Sequence, residues 1–329
     1  MADSDVRVAW RLFNLNWIPI AAMGSVLLLA VSVSNFSLEP LAFGTTVAIA
    51  VVFGLIAYVH AFARGEAADP KLIFSLGSIS QLVLLTAIVG PLSYVANAAN
   101  WPLQDQALLI IDRAMGMDPE PIARFVDAHP TIGHWLSVGY GFIKWPLLAI
   151  PIIFTMTLRL VRLQLFIAAL CFALIVTIVI SCLAPAIGTF YGMHLSPEGF
   201  PSLNTTMYVA QLRDIVALRN GTLRHLELFQ LAGIVSFPSF HAASAVLYMW
   251  ALWPVRGFAS LSIAMSALMI LATPIVGAHY MIDVIGGILL AAGSIVLAKR
   301  YGAAMTAISQ RSLASTVKSM PIQTGLGAH

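Results

Sequence analysis

Between residues 213 and 283 the chain carries Arg213, Arg219, Arg224, His225, His241, His279 and Asp283, with Ser239 among them. His279 and Asp283 are four apart, which places them one turn apart on one helix face. A carboxylate there can accept a hydrogen bond from one imidazole nitrogen. That sets the tautomer and leaves the other nitrogen as a nucleophile or base. His241 closes the run Phe237, Pro238, Ser239, Phe240, His241. Pro238 suits the first turn of a helix, where an N–H is not needed. Ser239 and the free N–H groups after it then make a helix N-terminus, an end that attracts phosphate. A polar network that only locks two helices together would use the same residue types.

The elements that carry these residues are apolar. Of 329 residues, 60% are hydrophobic and 9% charged, and the mean hydropathy is +0.90. A soluble domain carries about 25% charged residues, so a soluble enzyme, a disordered protein and a nucleic-acid binder are excluded. Eight apolar stretches run near 17–36, 41–63, 73–95, 135–158, 164–189, 236–255, 258–278 and 279–298. They are continuous rather than alternating, and read as membrane-spanning helices. The first is read as a retained span, because the residues before it form no signal peptide. With the N-terminus inside and eight spans, eleven Lys and Arg side chains fall inside. Five fall outside: Arg113, Arg124, Arg213, Arg219 and Arg224. That bias gives an N-in, C-in topology. It places His241, His279 and Asp283 at one outer membrane boundary, where ionisable groups default to a functional role.

Several other features are weighed on the same terms. Residues 104–113 have apolar side chains at helical spacing and read as an amphipathic surface helix, whose Asp112 and Arg113 either engage a headgroup or serve packing. Lys144, inside a span, either lines a headgroup cleft or snorkels outward. Cys171 and Cys182 read as small buried side chains. The chain divides into two extra N-terminal spans (1–72), a core (73–300) and a polar, poorly ordered cytoplasmic tail (301–329).

The run Pro238 to His241, followed 38 residues later by His279, Tyr280, Met281, Ile282 and Asp283, resembles the type 2 phosphatidic acid phosphatase superfamily. More narrowly, it is similar to the inositol phosphorylceramide synthase branch. The phosphatases have Gly where this chain has Phe240. They also have Ser-Arg where it has Ala272 and Thr273, and a Lys and an Arg-Pro pair upstream that are missing here. The resemblance covers about the last two-thirds of the chain. It implies a six-helix phosphatase-like core, which with the two extra N-terminal spans gives an all-α polytopic bundle of about eight transmembrane helices. It further implies that His279 attacks phosphorus and becomes a phosphohistidine, that Asp283 orients it, and that His241 protonates the leaving alcohol and activates the acceptor. Ser239 and neighbouring N–H groups would hold the phosphate oxygens, with no metal and no cofactor. No motif assigns the phosphate-binding cations. Arg219, then Arg224, then Arg213 are the candidates, although Arg213 has Asp214 beside it as a pairing partner.

The expected function is therefore that of a membrane-embedded lipid phosphotransferase or phosphatase. It would act on a lipid phosphate or phospholipid, with water or a lipid hydroxyl as acceptor and no nucleic-acid partner. A bacterial inner membrane with the site on the periplasmic side suits the short loops and charge bias. The alternative is a lipid transporter or flippase-like protein that handles a headgroup without chemistry.

Overall fold

A computed structural model describes residues 4–319, with side chains described through residue 307. Its helices in chain order are α1 (Ser4–Val33), α2 (Pro40–Arg64), α3 (Pro70–Asn97), α4 (Asp105–Ala114), α5 (Pro119–Asp127), α6 (Pro130–Tyr140), α7 (Trp145–Met156), α8 (Leu160–Leu183), α9 (Thr189–Gly192), α10 (Thr206–Arg219), α11 (Phe240–Leu252), α12 (Ala259–Val276) and α13 (Met281–Ser319). Two two-residue strands, β1 (Ser37–Leu38) and β2 (His225–Leu226), pair in parallel. Local chemistry explains many of the starts. Glu39, Asp69 and Asp118 each accept backbone N–H bonds at the N-cap, with a proline directly after.

Every apolar stretch expected from the sequence is helical, but the expected count of eight spans is not reproduced. Among the described residues, six helices are long and apolar enough to cross a membrane, and a seventh span results if the bent pair at Pro130–Ile143 and Trp145–Met156 is one crossing. The 54° bend has a cause. Pro146 has no N–H to give the turn before it, and its ring crowds that turn. The Tyr248 hydroxyl donates to the Ile143 carbonyl at the break, 2.8 Å away. Lys144 sits exposed at this break. The other shortfall is α11. Its 13 residues reach only about 20 Å at 1.5 Å per residue, against a hydrocarbon core of about 30 Å. The last helix passes the expected boundary at 300 and runs to Ser319; residues 320–329 of the expected tail lie outside the described residues.

The core centres on α8, which packs against α1, α3, α11 and α13. Cys171 is buried there and Cys182 half-buried. Arg162 of α8 donates to the Trp250 and Ala251 carbonyls at the end of α11 and lies over the Trp250 ring. These bonds satisfy carbonyls that a helix terminus leaves open and anchor α11 to the central helix. By contrast, α1 and α2 keep long apolar faces exposed, including Leu28, Leu29, Val52 and Leu55, as lipid-facing helices do.

Candidate active site

The site forms where the N-termini of α11 and α13 meet. Ser239 is the N-cap of α11, its Oγ accepting from the Ala242 N–H at 3.4 Å. Pro238 therefore lies just before the cap rather than in the first turn. The Ser239 N–H donates to the Asp283 carbonyl at 2.9 Å, so one backbone bond ties the two helix starts together. Gly287 permits the approach, because a Cβ there would overlap the Ser239 carbonyl oxygen.

His279 and Asp283 meet as their spacing predicts, but not on a continuous helix. His279 lies two residues before α13 begins, and Ala278 beside it has φ 51, a left-handed conformation that a non-glycine residue adopts only under constraint. Asp283 in the first turn reaches back. Its Oδ2 lies 3.3 Å from His279 Nδ1 and accepts from the Tyr280 N–H at 3.0 Å and the Ser236 hydroxyl at 2.8 Å. Its Oδ1 is buried with no protein partner. Both side chains are buried. The geometry fixes Nδ1 toward the carboxylate and leaves Nε2 free.

His241 is held from another direction. Its ring stacks on Tyr140 of α6, centroids 3.9 Å apart and planes 11° from parallel. Gly277 fills the space between this pair and His279. A Cβ there would sit 2.6 Å from His279 Cδ2, 2.8 Å from the Thr273 carbonyl and 2.9 Å from Tyr140 Cε2. His241 and His279 line one cavity of about 180 Å³, together with residues of α3, α6, α8 and the 232–235 segment.

Two carboxylates that looked scattered in the sequence hold this construction in place. Asp112 accepts the Met281 and Ile282 N–H groups at 2.7 and 2.9 Å, so it caps α13 from a different helix. Asp105 accepts the Ile187 N–H at 3.0 Å and the Gly188 N–H at 2.8 Å, and lies 3.0 Å from the Tyr280 hydroxyl. Burial holds both carboxyls above the usual carboxylate range and outweighs the backbone N–H groups they accept, which act to lower them. Residues 105–114 do form the expected helix, but Asp112 serves packing rather than a headgroup. A signal was present: Asp105 and Asp112 share an apolar face with Leu108 and Leu109, all buried. Tyr140 and Gly277 carried no comparable signal.

The structure thus brings His241, His279, Asp283 and Ser239 together. It does not bring the three arginines to them. Arg213 pairs with Asp214, Nε to Oδ1 2.8 Å. Arg219 donates to the Trp101 carbonyl at 2.9 Å. Arg224 donates to the Leu218 and Leu223 carbonyls and lies 4.7 Å over the Phe36 ring. His225 Nδ1 lies 2.9 Å from the Ser37 hydroxyl across the β1–β2 pair. Among the described residues, the side chains lining the shared cavity include no Lys or Arg.

A bundle of apolar helices with a buried histidine, a half-buried histidine and a buried aspartate at converging helix ends defines an integral membrane protein with a candidate active site. A family model described as the PAP2 superfamily matches residues 106–297, more than half of the chain, and the chain belongs to that superfamily. Membership supports an enzyme of the membrane lipid phosphatase and phosphotransferase class, acting on lipid substrates. No curated protein and no solved structure matches the chain.

Proposed function

We propose that this chain is a metal-independent lipid phosphotransferase or phosphatase that works through a phosphohistidine at His279. The observation that carries this reading is the buried His279–Asp283 contact, made through Nδ1 and Oδ2 in a cavity shared with His241. In the first step His279 Nε2 attacks the phosphorus, the P–N bond forms and the P–O bond to the leaving alcohol breaks. Asp283 stabilises the positive charge that develops on the ring. His241 gives its proton to the leaving oxygen. In the second step His241 takes a proton from water or a lipid hydroxyl. That oxygen attacks the phosphorus and His279 is released. One covalent intermediate serves both acceptors. Ser239 places the first-turn N–H groups of α11, which have no intrahelical acceptor, where they can hold phosphate oxygens.

Phe240, Ala272 and Thr273 stand where the superfamily's phosphatases carry Gly, Ser and Arg. This favours the inositol phosphorylceramide synthase-like branch, and with it transfer of a phosphoryl-headgroup to a lipid hydroxyl. The Lys and Arg asymmetry supports an N-in chain, with the C-terminus also inside for an even number of crossings, and together with the short loops it suits a bacterial inner membrane with the site on the periplasmic side. Labelling of Asn220→Cys by a membrane-impermeant maleimide in intact cells checks that orientation; protection until lysis would reverse it.

The test of the chemistry is trapping. Wild type and His279→Gln, purified in detergent, are incubated with lipid labelled at phosphorus and quenched in alkali. Acid-labile label is expected on the wild type alone, with turnover of the variant reduced about a million-fold, the scale seen when a covalent nucleophile is removed. Free phosphate or labelled lipid as product distinguishes phosphatase from transferase. Turnover of the variant at the wild-type rate would remove His279 as nucleophile. Lipid binding without label or turnover in either protein would favour a transporter.

A further inference from the structure

The cavity beside His241 and His279 has a composition that restricts what can enter it. Its wall is built mainly from Val89 and Gly90 of α3, Leu174 and Ile178 of α8, and Ile234 and Phe240. No Lys or Arg lines it among the described residues. At about 180 Å³ it is smaller than the roughly 300–1,000 Å³ of pockets that enclose a whole small molecule, so it suits one segment of a larger one. Beyond His241 and His279, no side chain in this wall offers a phosphate a countercharge. An uncharged lipid segment has no such need.

One buried hydroxyl in this wall is unaccounted for. Thr177 of α8 lines the cavity, is 1% exposed, and its Oγ1 has no hydrogen-bond partner within the protein. Ser93, the other aliphatic hydroxyl in the wall, donates to the Gly90 carbonyl at 2.7 Å, and Tyr140 is stacked on His241. A buried hydroxyl without a partner is destabilising unless a ligand supplies one. Rotation about χ1 exchanges the methyl and hydroxyl of a threonine at the wall it lines.

We propose that this cavity is a subsite for the lipid stem next to the phosphate, and that Thr177 is its specificity-determining residue, donating a hydrogen bond to an acyl carbonyl of the substrate. The carbonyl belongs either to an ester or to an amide. The proposal rests on the phosphohistidine reading, and assigns the side of the histidines from which the lipid stem approaches.

The experiment compares kcat/KM for three chain-matched lipid phosphates in detergent micelles: a diacyl ester, an N-acyl amide and a dialkyl ether. It does so in wild type, Thr177→Val and Thr177→Ser. The wild type is expected to favour a carbonyl-bearing lipid over the ether about five- to tenfold, the scale of one neutral hydrogen bond. Thr177→Val should bring that ratio to about one, and Thr177→Ser should restore it. Whichever of ester and amide loses its advantage in Thr177→Val identifies the carbonyl. Thermal melting of each variant verifies that it is folded. A ratio unchanged by Thr177→Val overturns the proposal. So does an equal loss on all three lipids, which would put the phosphate rather than the stem in the cavity. His279→Gln is run alongside: turnover that survives this change, or none in the wild type, overturns the phosphohistidine reading, whereas His279-dependent turnover with a fixed ratio overturns only the role of Thr177.

Discussion

Two charged regions flank the site and are used in opposite ways. Asp105 and Asp112 on α4 are buried, and each satisfies two backbone N–H groups from distant segments. Arg213, Arg219 and Arg224, at α10 and the turn after it, stay at or near the surface. Their partners are a neighbouring carboxylate, three backbone carbonyls and one aromatic face. In the sequence the arginines looked functional and the carboxylates incidental. Burial reverses the weighting. A buried carboxylate without donors is strongly destabilising, so its position is dictated by the backbone it serves. A long arginine can keep its head in water and accept whatever carbonyl is near.

Asp105→Ala is the largest expected break in this comparison. It leaves the Ile187 and Gly188 N–H groups buried without an acceptor and removes a partner of Tyr280. A loss of about 3–5 kcal/mol is expected from stranding several buried groups at once, read as reduced denaturant or thermal resistance in detergent. Wild-type melting would mean that α4 is not the clamp described. Gly277→Ala follows. Its Cβ would press on His279, Thr273 and Tyr140, and overpacking of this kind costs about 1–3 kcal/mol. Because the displaced groups include His279 itself and the Tyr140 ring stacked on His241, turnover should fall about 100-fold, in line with the sensitivity of catalysis to misplacement of about 1 Å. Activity within a factor of two would show that the histidines tolerate movement.

On the basic side the effects should be smaller. Arg224→Ala removes two bonds to carbonyls and the contact with Phe36, for a stability loss of about 1–2 kcal/mol with turnover kept within about threefold. Arg219→Ala removes one exposed bond to Trp101 and should change stability by no more than about 0.5 kcal/mol. A tenfold rise in KM for either arginine variant, without loss of folding, would bring that side chain to the substrate and erase the contrast.

The same division runs through what could be read in advance. The resemblance rested on short runs whose local spacing already carries meaning, and His279, Asp283 and Ser239 do meet within one turn of their helix starts. The count of crossings was less legible, because Pro146 breaks one apolar stretch into a bent pair and α11 stops after 13 residues. Hydropathy averages over a window and cannot register either event. Tyr140, Gly277 and Thr177 were invisible for another reason. Each matters through a partner or a cavity wall assembled from other helices, as with Tyr140 stacked on His241 about a hundred positions along the chain.

By itself, then, the sequence determined the solvent, the helical class and the pairing of His279 with Asp283. These follow from composition and from contacts within a few residues, where backbone geometry leaves little choice. Only the tertiary structure decided that Asp105 and Asp112 clamp the site, that the arginines stand away from it, and that the two histidines share a cavity without Lys or Arg, walled in part by the unpaired Thr177 hydroxyl. The physical reason is that a buried polar group takes its meaning from its partner. Asp112 finds Met281 169 residues away, and Asp105 finds Tyr280 175 residues away, at distances along the chain that only packing can close.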